Sequence, residues 1–223
     1  MLDNPIWQAL STTQSLLCQG DGLAKRFPAD VAPLAAVQSP SAAAFQALAS
    51  SLTVGGTAAL FLDAPFAPSA GWATLHEDEL QQMVCAQPQG LGQNPAIRPL
   101  TPANVAQMIA LAELTEPGPF RQRTIELGNY VGIFCADNLV AMAGERLRPS
   151  GFTEVSAVCT HPGYRGNGYA RALMSAVMTR ILARGETPIL HVRSSNVSAI
   201  ALYQTLGFRT RRGFHLQVMQ KTA

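Results

Sequence analysis

The 223-residue chain carries 16 basic and 14 acidic residues, a net charge of +2, and is 48% hydrophobic but only 13% charged. That balance allows one large domain or two small ones around a sizeable core, and it excludes the basic stripe that bulk nucleic-acid binding needs. No apolar run reaches the roughly 18 residues of a membrane span and no basic-then-apolar leader opens the chain, so the expectation is a cytoplasmic protein with neither a membrane nor a nucleic-acid partner.

In chain order, Asn4-Pro5-Ile6-Trp7-Gln8-Ala9-Leu10 reads as a short helix with proline in its first turn. Residues 39–48 read as a serine-capped helix, and 57–62 as a buried strand stopped by Asp63-Ala64-Pro65. Residues 77–85 fit a strand or a helix equally. His76 beside Glu77 and Asp78 reads as a solvated acidic loop rather than a metal site, because ligand spacing is absent. Residues 86–95, rich in Gly, Pro and Gln, read as a linker between an N-terminal α/β segment, 1–90, and a second domain, 96–223. The second part alternates cleanly. It gives a strand at 96–100, a helix at 101–114 capped by Thr101 with Pro102 behind it, and a loop at 116–120. A hairpin follows at 130–135 and 139–145, then a strand at 152–159. The helix 169–184 keeps Ala170, Leu173, Val177 and Ile181 on one face and ends at Gly185. A short strand at 189–192, a helix at 196–206 closed by Gly207, and two last strands around 208–212 and 214–219 complete the chain. The run Arg209-Thr210-Arg211-Arg212 reads as a solvated strand or turn. Cys18, Cys85, Cys135 and Cys159 have neither CxxC nor metal-type spacing and are expected as reduced, mostly buried thiols.

The chemistry concentrates in Arg165-Gly166-Asn167-Gly168-Tyr169-Ala170, where an apolar strand turns directly into a helix. The first N–H groups of a helix lack intrahelical partners and point at its positive dipole end, so the turn forms a cradle for a diphosphate. Glycines at 166 and 168 allow close backbone approach. A dinucleotide-binding unit is a poor fit: the GxGxxG spacing is missing, and Arg193 and Ser194 follow the next strand where a ribose acid would sit. A P-loop is excluded because no Gly-Lys-Ser/Thr follows.

With Asn196-x-x-Ala199-x-x-Leu202-Tyr203-x-x-x-Gly207-Phe208 downstream, residues 96–220 resemble the GNAT superfamily of acyl-CoA-dependent N-acyltransferases, whose motif is Arg/Gln-x-x-Gly-x-Gly/Ala. Gly144-Glu145-Arg146-Leu147-Arg148, followed by the stretch 154–162, resembles the glycine N-acyltransferase-like branch. The resemblance implies an α/β (α+β) GNAT fold: a mixed, mostly antiparallel sheet splayed open at the acyl-CoA site, with residues 1–90 as a degenerate copy, a cap over the acceptor or a dimer surface. It implies acetyl-CoA as co-substrate and no metal. Its pantetheine arm would pair with Val158, Cys159 and Thr160, its diphosphate would rest on the 165–170 turn, and Asn196 would hold the arm while capping its own helix.

The same resemblance implies direct attack of a primary amine on the thioester. That step needs a neutral amine, a polarised carbonyl and a proton for the leaving thiolate. The N–H of Val158 or Cys159 would hold the thioester oxygen and Tyr203 would protonate the sulfur. Glu154 matches the position of the family's base glutamate, with Glu145 as second choice and a water-relayed base, or none, as the competitor. An acyl-cysteine on Cys159 is disfavoured by Pro162 and by the family's direct transfer. The acceptor, a small amine, an amino acid or a protein N-terminus, is expected between the 116–120 loop, Asn129-Tyr130 and the tail near Phe214. Two other readings stay open: a non-catalytic acyl-CoA-binding regulator, and an acetyltransferase specific for peptide N-termini.

Overall fold

The computed structural model describes residues 1–67, 70–92 and 96–223. Eight strands build one mixed sheet in the order β4-β11-β5-β10-β9-β8-β7-β6. They are β4 (Thr57–Leu62), β5 (Trp72–Val84), β6 (Ile97–Pro99), β7 (Tyr130–Cys135), β8 (Asn138–Glu145), β9 (Phe152–Thr160), β10 (Thr187–Arg193) and β11 (Arg209–Lys221). Every ladder is antiparallel except β9 with β10, as the predicted fold class requires. A small antiparallel sheet, β1 (Gln19–Asp21), β2 (Ala24–Arg26) and β3 (Ala35–Val37), lies outside it. These three-residue strands are too short to leave an alternation in the sequence.

The helices form where local rules place them. In α1 (Pro5–Ser11) the Trp7 N–H donates to Asn4 Oδ1, and in α2 (Ala42–Ser50) the Ala44 N–H donates to Ser41 Oγ, each at 3.3 Å. Thr101 and Asn104 form a capping box ahead of α3 (Val105–Thr115). The long α4 (Tyr169–Ala183) ends at Gly185, φ +72°, and α5 (Val197–Thr205) begins at its cap Asn196.

Two expectations about strands are corrected. Of residues 77–85, which fitted either state, 77–84 continue β5, a strand held between β11 and β10, and Cys85 follows its end. His76, Glu77 and Asp78 therefore lie on a strand and not in a loop. The ladder with β10 ends at Leu80, with one further bond from Ser194 N–H to Glu79 O at 2.7 Å, so residues 72–78 have a free side where charged groups stay solvated. The two expected last strands are one, β11: its ladder with β5 steps from Thr210↔Met83 to Arg212↔Gln82, so Arg211 is an extra residue in a bulge and the strand runs on through Gly213.

The run read as a linker connects two strands of the same sheet. Its described part lies against the helices: Gln89 N–H donates to Leu206 O at 3.0 Å, and Gly92 N–H to Ser175 Oγ at 2.8 Å. Residues 93–95 of that run lie outside the described residues. The core is layered accordingly. Leu173, Val177 and Ile181 of α4 pack with Val131, Val155 and Leu190 on one face of the sheet. On the other, Ile6, Phe27 and Phe61 from the first 62 residues pack with Leu127, Leu147 and Phe214. At roughly 1.5–3 kcal/mol per fully buried large side chain, this second layer couples residues 1–62 to the rest of the fold.

Candidate active site

The site begins with a parting of strands. β9 and β10 pair only at Phe152↔Thr187, Thr153↔Pro188 and Glu154↔Ile189. Beyond that, residues 155–160 and 190–193 diverge, and β10 keeps its ladder with β5. On the far side of β9, the ladder with β8 steps from Met142↔Cys159 to Gly144↔Ser156, so Ala157 and Val158 face the single Ala143. Ala157 takes φ +52°, a conformation that costs a non-glycine residue about 1–2 kcal/mol. The bulge thus takes the backbone of Ala157 and Val158 out of the β8 ladder at the point where β10 has already left. The sequence carries no glycine there to announce it.

At the mouth of the split, the turn before α4 is exposed from Arg165 through Gly168, with Tyr169 and Ala170 half-buried. Gly166 (φ +83°) and Gly168 (φ +73°) are both left-handed, and open space lies where a Cβ would stand at either. Glycine is required here by conformation, not by crowding. Asn167 Nδ2 donates to Tyr164 O at 2.9 Å and fastens the turn from below, and Ala172 N–H makes a first α4 bond to Gly168 O. On the role that the family resemblance implies for this turn, Gly168→Val is expected to raise KM for acetyl-CoA about 10-fold, the equivalent of about 1.4 kcal/mol, with kcat within twofold. Steady-state kinetics check this, and an unchanged KM would remove the turn from the binding site.

A cavity of about 300 Å³ runs through the split. On the helix side Asn196 and Tyr203 line it; on the other Arg146, Phe61, Leu80 and the loop 116–119 do. Two surface grooves near 600 Å³, beside Gly207 and Arg209, contain neither Tyr203, Asn196 nor any residue of the turn. Asn196 Oδ1 accepts from Ala199 N–H at 3.2 Å while the residue lines the cavity, so the capping role is real and a second one is open to its amide. Tyr203 leans on Phe208, ring centroids 6.2 Å apart, and its hydroxyl has no protein partner among the described residues. Burial pushes its pKa up to about 12.

The acidic candidates stand apart from the cavity. Glu154 is fully buried, and its carboxylate takes a fork from Arg146 (Nη2–Oε1 2.6 Å, Nε–Oε2 2.8 Å), His191 Nδ1 at 2.7 Å and Leu147 N–H at 3.2 Å. Burial raises a carboxyl, but the charge and hydrogen bonds of Arg146, with His191, more than reverse it and hold Glu154 far below the usual range. His191 is itself engaged at both nitrogens, since Gln82 Nε2, which also donates to Leu2 O, lies 3.0 Å from its Nε2. Glu145, also fully buried, lies 3.0 Å from Arg184 Nη2 and accepts from Asn129 N–H at 3.2 Å. The carboxylate that does line the cavity, among the described residues, is Glu116, left-handed at φ +49° beyond the end of α3.

Cys159 is buried toward α3, with burial pushing its thiol up to about 11. His161 Nδ1 accepts from Gly163 N–H at 3.1 Å and does not activate it. Thr160 pairs with Ala141 at the strand end. Of the expected acceptor wall, Glu116, Pro117, Gly118 and Pro119 take part. Phe120, Asn129, Tyr130 and Phe214 do not: Tyr130 and Phe214 are core residues, and Leu216 and Val218, further along β11, line the cavity instead. Sequence reasoning missed the contribution of Leu34, Ala59, Phe61 and Leu80, of which only the apolar character was visible, and of His76, read there as part of a solvated loop.

A family model described as FR47-like protein matches residues 130–216. A GNAT-family structure from Novosphingobium aromaticivorans DSM 12444 is 39% identical and superposes with a TM-score of 0.93, over 100% of this chain and 99% of that one. The N-alpha-acetyltransferase RimI of Mycobacterium tuberculosis is 33% identical over 108 residues, 47% of this chain and 67% of RimI. An uncharacterized protein of Mycobacterium leprae is 37% identical over 120 residues, 49% of this chain; the match spans only a third of that protein's length.

Proposed function

The chain belongs to the GNAT family of acetyltransferases, and on that premise we propose that it transfers an acetyl or short acyl group from acyl-CoA to a primary amine by direct attack. The observation that carries this is the alignment along one cavity of the parted strands with their bulge at Ala157-Val158, the capped helix with Asn196, and the unpartnered Tyr203 hydroxyl. The diphosphate of acetyl-CoA would rest on Arg165, Gly166, Asn167, Gly168, Tyr169 and Ala170, and its arm would enter the split along β9. The Val158 N–H would hold the thioester oxygen. Tyr203 would supply the proton to the sulfur.

Of the bases considered, the water-relayed one fits best. Glu154 and Glu145 are spent in buried ion pairs, and His191 has no free nitrogen. Finer placement in the glycine N-acyltransferase-like branch rests on residues 144–148 and 154–162 alone. No described helix is long and apolar enough to cross a membrane. All four cysteines are free, which suits the reducing cytoplasm we assign to it. Residues 1–90 we read as the wall of the acceptor side of the cleft. Measuring free thiol released from acetyl-CoA across an amine panel tests the reading: consumption of an amine supports it, whereas acetyl-CoA binding with no amine consumed leaves a regulatory acyl-CoA-binding protein.

A further inference from the structure

We infer that the acceptor is a small free amino acid with an apolar side chain, its carboxylate held by Arg146 and its side chain seated on the wall from the first half of the chain. This deepens the acetyl-transfer reading and rests on it.

The wall comes first. On the side of the sheet away from α4 and α5, the cavity is lined by Leu34, Ala59, Phe61, Leu80, Leu216 and Val218. Phe61 is 9% exposed and packed on the His191 ring at 4.8 Å, so this surface is built and rigid. An apolar chamber of this kind favours a hydrocarbon side chain by about 25 cal/mol per Å² buried. At about 300 Å³ for the whole cavity, the acyl end of the donor and one small molecule fill it.

The charges come second. Arg146 lines the cavity with its side chain 16% exposed. Glu154 uses its Nε and Nη2, and Nη1 has no protein partner among the described residues. The guanidinium is a fork of five N–H donors, and here one edge is clamped and the other is left for a ligand. Glu154 is clamped in turn by His191 and the Leu147 N–H, so the free edge is presented at a fixed angle. Arg193, the other guanidinium lining the cavity, is 57% exposed and takes Asp78 at 3.2 Å through its Nε. Glu116, an acid on the loop side, faces the same space. The open edge of a mostly buried, fixed guanidinium and a carboxylate bordering a largely apolar chamber are the complement of a zwitterion with an apolar side chain. A peptide N-terminus has the amine and the side chain but no carboxylate at that position, and a simple alkylamine has only the body.

In the reaction the ammonium first gives one proton to water. The neutral nitrogen then forms the N–C bond to the thioester carbon, and the C–S bond breaks. Tyr203 protonates the thiolate and recovers its proton, by way of water, from the nitrogen. The products are the N-acetyl amino acid and free CoA thiol.

The test uses the full-length protein, acetyl-CoA and a matched set: leucine, 3-methylbutylamine (leucine without its carboxylate), glycine, aspartate and a tripeptide beginning with leucine. We expect kcat/KM for leucine to exceed each of the others at least 10-fold. A higher value for the alkylamine or the tripeptide would overturn the role of Arg146; a higher value for glycine or aspartate would overturn the wall. Arg146→Lys keeps the charge opposite Glu154 but loses the fork. It should raise KM for leucine about 10-fold while leaving that for 3-methylbutylamine within twofold; equal changes in both would sink the assignment. Phe61→Ala, which leaves the ion pair intact, should narrow the preference for leucine over glycine, and an unchanged preference counts against the wall. If acetyl-CoA binds but no amine releases thiol, acetyl transfer is the reading that fails. Calorimetry on the CoA-loaded protein then decides this one: leucine bound and 3-methylbutylamine not bound supports it, and any other pattern overturns it.

Discussion

Replacing Tyr203 with phenylalanine is expected to lower kcat about 100-fold, the low end of what a positioned proton donor contributes, while KM for acetyl-CoA stays within twofold. The hydroxyl has no protein partner to lose, and Tyr203 is held by packing against Phe208 and the α4 layer, so thermal stability should not move. The pH profile adds a second check. A phenol pushed up to about 12 by burial keeps its proton through any practical assay. The wild-type rate should therefore rise with pH as the amine becomes neutral and then level off, with no alkaline fall below about pH 10. An alkaline limb in that range, or a Phe variant with full kcat, would show that another group delivers the proton.

Glu154→Ala is expected to destabilise the fold by about 3–5 kcal/mol, the cost of leaving one partner of a buried ion pair alone. Arg146 would lose both bonds of its fork, and His191 its Nδ1 acceptor. Replacing Arg146 with methionine and Glu154 with leucine together should cost less than Glu154→Ala alone, because no unpaired charge remains. The pH dependence follows from the direction of the shift. The folded Glu154 carboxyl lies below its ordinary value of about 4.5, so its contribution is fully present above that value. It is lost as pH falls through the range beneath it, where the unfolded chain binds the proton first. Urea unfolding between pH 3 and 7 should show a steeper acid loss for the wild type than for the Arg146→Met, Glu154→Leu pair. If Glu154 were the catalytic base, its removal would instead delete a limb of the kcat/KM profile and leave stability nearly untouched.

These two residues mark the line between what could and could not be read in advance. The placing of Tyr203 and Asn196 on one helix and the shape of the turn from Arg165 to Ala170 were legible because they are local. A glycine at φ +73° and an asparagine cap three residues from the N–H it accepts are properties of consecutive residues. Spacing within one helix then carried Tyr203 to the cavity. Glu154 stood at the right position on the right strand, yet position alone could not say whether its carboxylate was free. The answer lay in Arg146, eight residues back, and in His191, 37 residues on.

The sequence by itself determined the glycine turn before α4, the cap at Asn196 and the strand-helix alternation of residues 96–223, and its resemblance to the GNAT family implied the parting of the sheet. Tertiary structure alone decided three things. The first half joins the same sheet, because β4 and β5 pair with β11 from the far end of the chain. The bulge at Ala157 exists because β8 and β9 meet out of step by one residue. The cavity in the split is lined by residues drawn from 34 to 218. Backbone turns and caps depend on neighbours in sequence; ion-pair partners, strand register and the lining of a chamber depend on neighbours in space.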